Sequence, residues 1–101
     1  MENVINGTQD NLDAIIAQGK TTIVDFWAPW CGPCKTLGPI LDKLAEERPD
    51  INVVKVNVDE NSDLSSKYGI RSIPAVYIFK NGEEAGKFVG LKGKEEILGM
   101  L

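Results

Sequence analysis

The apolar positions change period several times along the chain, and each change marks an element. Val4-Ile5 is a short apolar pair before the turn residues Asn6-Gly7, which predicts a brief edge strand. Leu12, Ile15 and Ile16 recur at i, i+3 and i+4, an amphipathic helix with Thr8 as its N-cap and Gly19 as its stop. Thr21 to Trp27 is a nearly continuous β-branched and aromatic run, which predicts a central strand covered on both faces with one carboxylate, Asp25, inside it. Leu37, Ile40, Leu41 and Leu44 then return at helical spacing. This helix should open within Cys31-Gly32-Pro33, where a proline is tolerated in the first turn, and end near Arg48-Pro49-Asp50. Pro39 falls inside it and cannot donate to the Lys35 carbonyl, so a kink is expected there, with Gly38 easing the clash of the proline ring.

Val53 to Val58 reads as a second central strand, Ser62 to Tyr68 as a short helix ended by Gly69, and Ala75 to Lys80 as a third long strand. Asn81-Gly82 is a two-residue hairpin signal, and Glu83 to Val89 should return antiparallel. Ile97, Leu98 and Leu101 share one face of a last helix over Lys94 to Leu101. The order β-α-β-α-β-α-β-β-α predicts an α/β fold. It has a central mixed five-stranded sheet, parallel where helices link the strands and antiparallel at the closing hairpin, with helices on both faces. The 101 residues favour one domain over 1–101.

Composition narrows the function classes. The net charge is −4 and there is no histidine, which argues against nucleic acid or an anionic membrane as the main partner. No apolar run approaches the roughly 18 residues of a membrane helix. The first residues lack the basic-then-apolar pattern of a secretory signal, so the expected compartment is the cytoplasm. In that reducing setting a structural disulfide is out of place, and the two cysteines are better suited to redox chemistry or a metal.

Those cysteines, Cys31 and Cys34, sit where the central strand turns into the long helix. Cys34 falls on the Leu37–Leu41 stripe and should face inward; Cys31 is one turn nearer the open tip, where the helix dipole lowers a thiol's pKa. Cys31 could therefore attack a disulfide, and the tethered Cys34 could resolve the mixed disulfide at high effective concentration. Other readings of the pair stay open. A staple would close a loop of only about four residues, contributing ~2 kcal/mol against ~3 for a loop of about fifteen. Half a zinc site would need carboxylates or a second subunit to complete it. Two ordinary reduced core cysteines would suit Cys34 better than Cys31.

Asp25 should be desolvated and raised in pKa if its strand is buried, unless it points out at a sheet edge or is satisfied by hydrogen bonds. Its position just before the cysteines suggests that it sits beneath Cys34 and exchanges a proton with it, through water or directly. Lys55, in the next strand, is either its partner or a solvent-facing lysine. Ile73-Pro74 opens a strand, and pattern alone does not connect it to the cysteines.

Taken together, the segment Asp25-Phe26-Trp27-Ala28-Pro29-Trp30-Cys31-Gly32-Pro33-Cys34-Lys35 closely resembles the active-site segment of the thioredoxin family. Pro39 is similar to that family's helix-kinking proline and Lys55 to the lysine near its buried aspartate. Tyr68 to Pro74 resembles the segment carrying its cis-proline, Phe79-Lys80-Asn81-Gly82 its hairpin, and Val89-Gly90 its glycine-bearing substrate loop. The resemblance implies a thioredoxin fold and a protein dithiol–disulfide oxidoreductase acting as a reductant. Cys31 attacks, Cys34 resolves, Gly32 and Pro33 modulate the pair, Asp25 assists proton transfer, and Lys55 belongs to the catalytic set as the lysine near it. It further implies a cis Pro74 facing the cysteines, Ile73 offering backbone hydrogen bonds to an extended substrate, and an apolar rim of Trp30, Val58, Ile73, Val89 and Gly90. Val58 and Val89 could equally be plain core packing.

The resemblance also implies no bound cofactor and no metal, electrons from a thioredoxin reductase, and disulfide-containing target proteins as substrates; a monomer is the simplest expectation. Oxidases and isomerases on this fold usually carry histidine between the cysteines, so Gly32-Pro33 favours the reducing end. The rival from a different class is a redox-independent binding subunit on the same fold. Gly38 departs from the family pattern, standing where alanine is common, and Leu91-Lys92-Gly93 lacks the usual Ser or Thr cap of the last helix.

Overall fold

The structure, a computed structural model, describes residues 2–101. Its elements are β1 (Val4–Asn6), α1 (Leu12–Ala17), β2 (Thr22–Trp27), α2 (Gly32–Glu47), β3 (Asn52–Asn57), α3 (Ser62–Lys67), β4 (Ala75–Lys80), β5 (Glu83–Val89) and α4 (Lys94–Leu98). The strands form one sheet in the order β1-β3-β2-β4-β5. β3 pairs parallel with β1 and β2, whereas β4 pairs antiparallel with β2 and β5. β2 is thus hydrogen-bonded on both sides, in keeping with its nearly continuous apolar run. The expectation that helix-linked strands run parallel fails at β4, which α3 links to β3: a six-residue helix rises only about 9 Å, too little to carry the chain back along a strand of about 20 Å, so β4 starts from the end of the sheet where β3 stops.

The period-two alternation of the strands sorts side chains between two cores. Ile23, Val53, Val76 and Ile78 pack with Leu37, Leu41, Leu44 and Ile97 of α2 and α4. Val24, Phe26, Val54 and Val56 pack on the opposite face with Leu12, Ile15, Ile16 and Leu64 of α1 and α3. By the same alternation Asp25 and its cross-strand neighbour Lys55 share the face of Ile23 and Val53, under α2. The strand that positions the site therefore delivers a carboxylate directly beneath the helix that begins with the cysteines.

Four local expectations need correction. α1 starts at Leu12 with Asn11, not Thr8, at its N-cap. Thr8 N–H donates to Asn11 Oδ1 at 2.8 Å while its carbonyl accepts from Asn11 N–H at 3.3 Å, so these residues close a turn before the helix. β3 ends one residue earlier than expected; Val58 lies just past it, its N–H still donating to the Trp27 carbonyl at 2.9 Å. The hairpin turn forms as predicted, with Asn81 at φ 55° and Gly82 at φ 81°, but Phe79 faces Glu84 and Ile78 faces Gly86, leaving Ala85 as the extra residue of a bulge. α4 is shorter than predicted: after Leu98 the chain tightens into i→i−3 bonds from Met100 and Leu101. Pro39 remains inside one continuous helix, depriving the Lys35 carbonyl of an i+4 donor.

Candidate redox site

The sharp passage from β2 to α2 places the cysteines. Cys31 is the N-cap of α2 in extended geometry, with Gly32 and Pro33 as the first helical residues. Cys31 and Cys34 are joined as a disulfide with their Cα atoms 5.3 Å apart, and the Cys34 N–H donates to Cys31 Sγ at 3.2 Å. A thiolate at Cys31 would accept from that same N–H and sit at the positive end of the helix dipole. Exposure does not separate the two sulfurs as the helical position suggested: each cysteine is only 5% exposed, because Trp27, Val58 and Ile73 pack around them. Direction does separate them. Cys31 Sγ lies 3.8 Å from the Ile73 carbonyl oxygen at the outer rim, whereas Cys34 lines an inner cavity. Gly32 and Pro33 are exposed, and a Cβ added at Gly32 would meet nothing within 4 Å, so the tip is open to a partner.

The inner cavity, of about 180 Å³, is lined by Cys34, Asp25, Trp27, Gly38, Asp42 and Lys55 among others. Asp25 is 1% exposed. Among the described residues its Oδ1 has no hydrogen-bond partner, and neither does Trp27 Nε1. Loss of hydration drives the Asp25 pKa up to about 7; the Lys55 charge pulls it down, and the Asp42 charge pushes it up. Neither a sheet edge nor a satisfied carboxylate describes this residue. Lys55 is Asp25's neighbour in the sheet register, but its ammonium is engaged by Asp42 Oδ1 and lies 3.5 Å from the Gly38 carbonyl. It is neither solvent-facing nor hydrogen-bonded to Asp25.

The distant segments converge as well. The Ile73-Pro74 bond is cis, and Gly90, at φ +94°, donates its N–H to the Pro74 carbonyl at 2.8 Å. Trp30 is 69% exposed, its Nε1 held by Asp59 Oδ2 at 2.9 Å, and Val89 is 65% exposed, which removes core packing as an account of Val89. Val58 is half-buried against both Cys31 and the α3 side of the core. The rim is divided: Trp30, Val58 and Ile73 line one groove, Val89 another, and Ile70 with Arg71 borders both. Asp42, Asp59 and Arg71 escaped the sequence reading. Asp42 was within reach of it, since Cys34, Gly38 and Asp42 recur at i, i+4 and i+8 on α2. Among the described residues no group of three or more His, Cys, Asp or Glu side chains is arranged to hold a metal, and no helix is long and apolar enough to cross a membrane.

A vicinal cysteine pair, joined across the first turn of a helix on a mixed sheet, defines a dithiol–disulfide oxidoreductase; a redox-independent binding subunit is not favoured. Comparison with known proteins gives the particular family. The thioredoxin family model matches residues 3–101. The chain is 45% identical over 94 residues to a thioredoxin of Chlamydia pneumoniae, covering 93% of this chain and 91% of that one. It is 52% identical over 85 residues to a thioredoxin of Rickettsia typhi, covering 83% and 81%. Among solved structures, a mutant thioredoxin from Halobacterium salinarum NRC-1 superposes with a TM-score of 0.83 at 38% identity, covering 93% of this chain and 81% of that one. The chain belongs to the thioredoxin family.

Proposed function

We propose that this protein is a general reductant of protein disulfides, built as one domain over 1–101 and working as a monomer in the cytoplasm. Cys31 as thiolate attacks a target disulfide: the Cys31–target S–S bond forms, the target's own S–S bond breaks, and one target thiolate leaves. Cys34 then gives its thiol proton to the Asp25 carboxylate and attacks the Cys31 sulfur. The Cys31–Cys34 bond forms, the mixed disulfide breaks, and the second target thiolate leaves and takes up a proton. Two electrons have passed from the dithiol to the target, and a thioredoxin reductase returns them without a cofactor bound to this chain. Ile73, beside the cis Pro74, offers its main chain to an extended substrate. Trp30, Val58, Val89 and Gly90 form the surface around it.

The observation that carries this reading is the placement of Cys31 at the N-cap of α2 beneath the exposed rim, with Cys34 turned toward the cavity that holds Asp25. Insulin disulfide reduction driven by a cognate reductase tests it. Wild type should turn over and Cys31→Ser should not; an inactive wild type or a fully active Cys31→Ser would overturn it.

A further inference from the structure

Three charged groups from three elements meet at the inner cavity: Asp25 of β2, Lys55 of β3 and Asp42 of α2. Lys55 and Asp25 are register partners on one face of adjacent parallel strands, and such neighbours stand only about 5 Å apart. A flexible lysine there, next to a buried carboxylate oxygen with no partner, would ordinarily close on it. It does not; its ammonium is drawn onto α2, to Asp42 Oδ1 and toward the Gly38 carbonyl, and Asp25 Oδ1 is left unpaired.

We propose that Asp42 is a positioning residue: by holding the Lys55 ammonium on α2 it keeps that charge off Asp25, so that Asp25 can accept and hold the proton of Cys34. This rests on Asp25 being the proton acceptor of the resolving step. The sign follows from the groups around Asp25. Burial raises its pKa, Lys55 lowers it and Asp42 raises it. Freed from Asp42, Lys55 would settle on Asp25 and keep it ionised, a poorer holder of a proton. The other groups facing the cavity are Lys35 and Cys34 of α2, while β4 brings only the apolar Val76 opposite Asp25. Asp42 is itself well placed to be changed without unfolding, its side chain being 41% exposed.

The experiment is a carbon-13 NMR titration of the Asp25 carboxyl in the oxidised protein, where the cysteines do not titrate. Asp42→Asn should shift the midpoint down, and Asp42→Glu should restore it. In a Lys55→Gln background the Asp42→Asn shift should fall to less than half. An unshifted midpoint, or an equal shift in both backgrounds, would overturn the proposal, because the first removes the effect and the second makes it Asp42's own charge. The pH profile of Cys34 alkylation in the reduced variants separates this from the proton relay. A moved Asp25 midpoint with an unmoved Cys34 profile would overturn the relay and leave the positioning of Lys55 standing.

Discussion

Asp25 is the residue whose environment differs most from what its chemistry prefers, and its cost is expressed in stability. Its carboxyl would titrate near 3.8 when solvated and does so at about 7 in the fold. Below about pH 4 both states carry the proton and the folded state loses nothing. Between about pH 4 and 7 the unfolded chain gives up the proton while the folded one keeps it, so stability falls as pH rises, by about 4 kcal/mol over the window. Above the folded pKa there is no further loss. Asp25→Asn should flatten this slope and make the oxidised protein more stable than wild type at pH 8, as urea unfolding at both ends of the window would show; a wild-type stability that does not fall with pH would contradict it. The burial of Asp25 was legible in part: the apolar run on both sides of the carboxylate predicts a covered strand, and the pairing of β2 with β3 and β4 is what removes the sheet-edge alternative. The fate of Lys55 was not, because its choice between Asp25 and Asp42 depends on where α2 lies over the sheet, which no spacing within a single strand encodes.

At the level of elements, α2 and the hairpin show two opposite uses of glycine. Gly38 lies in a helix interior, where it costs about 0.5–1 kcal/mol relative to alanine. A Cβ there would approach Lys55 Nζ at 3.8 Å, an ordinary contact. Gly38→Ala sets the recovery of that cost against the contact of its new Cβ with the Pro39 ring, so it should raise the urea midpoint by less than the equivalent of about 0.5–1 kcal/mol, without changing the slope of the transition. Gly82 holds φ +81° at the hairpin, a left-handed conformation that an L side chain resists by about 1–2 kcal/mol, so Gly82→Ala should lower stability by that much. The turn itself could be read directly, since Asn-Gly is suited to positive φ at both positions. The bulge at Ala85 could not: nothing in Glu83 to Val89 marks one residue as surplus, and the surplus arises only when β5 is laid against β4. The start of α1 was misplaced for a related reason: Thr8 and Asn11 both suit a cap, and Asn11 turns its side-chain oxygen back to the Thr8 N–H, so no side-chain cap bond marks where the helix begins.

For the whole molecule, element order was legible; strand order, the direction of β4 and convergence were not. The sequence of periods yields the five strands and four helices of the described residues in the right order, and an Asn-Gly turn must reverse the chain, but the direction of β4 was misread, because α3 is too short to return the chain to the other end of the sheet. Nothing in the pattern joins Ile73 to Cys31 across 42 positions, or Gly90 to Pro74; those contacts follow from the strand order, which sets β2 beside β4 and β4 beside β5. The order has a further consequence for traffic. Each cysteine is only 5% exposed, and the outer sulfur is reached at the rim beside Ile73. A donor of electrons and a recipient must then call at the same doorstep, and neither can wait there while the other is served. Steady-state rates at several fixed concentrations of each partner should give parallel double-reciprocal lines, the signature of a carrier that changes state between visits. Intersecting lines would mean that a third body can form, and that a second approach to the sulfurs exists.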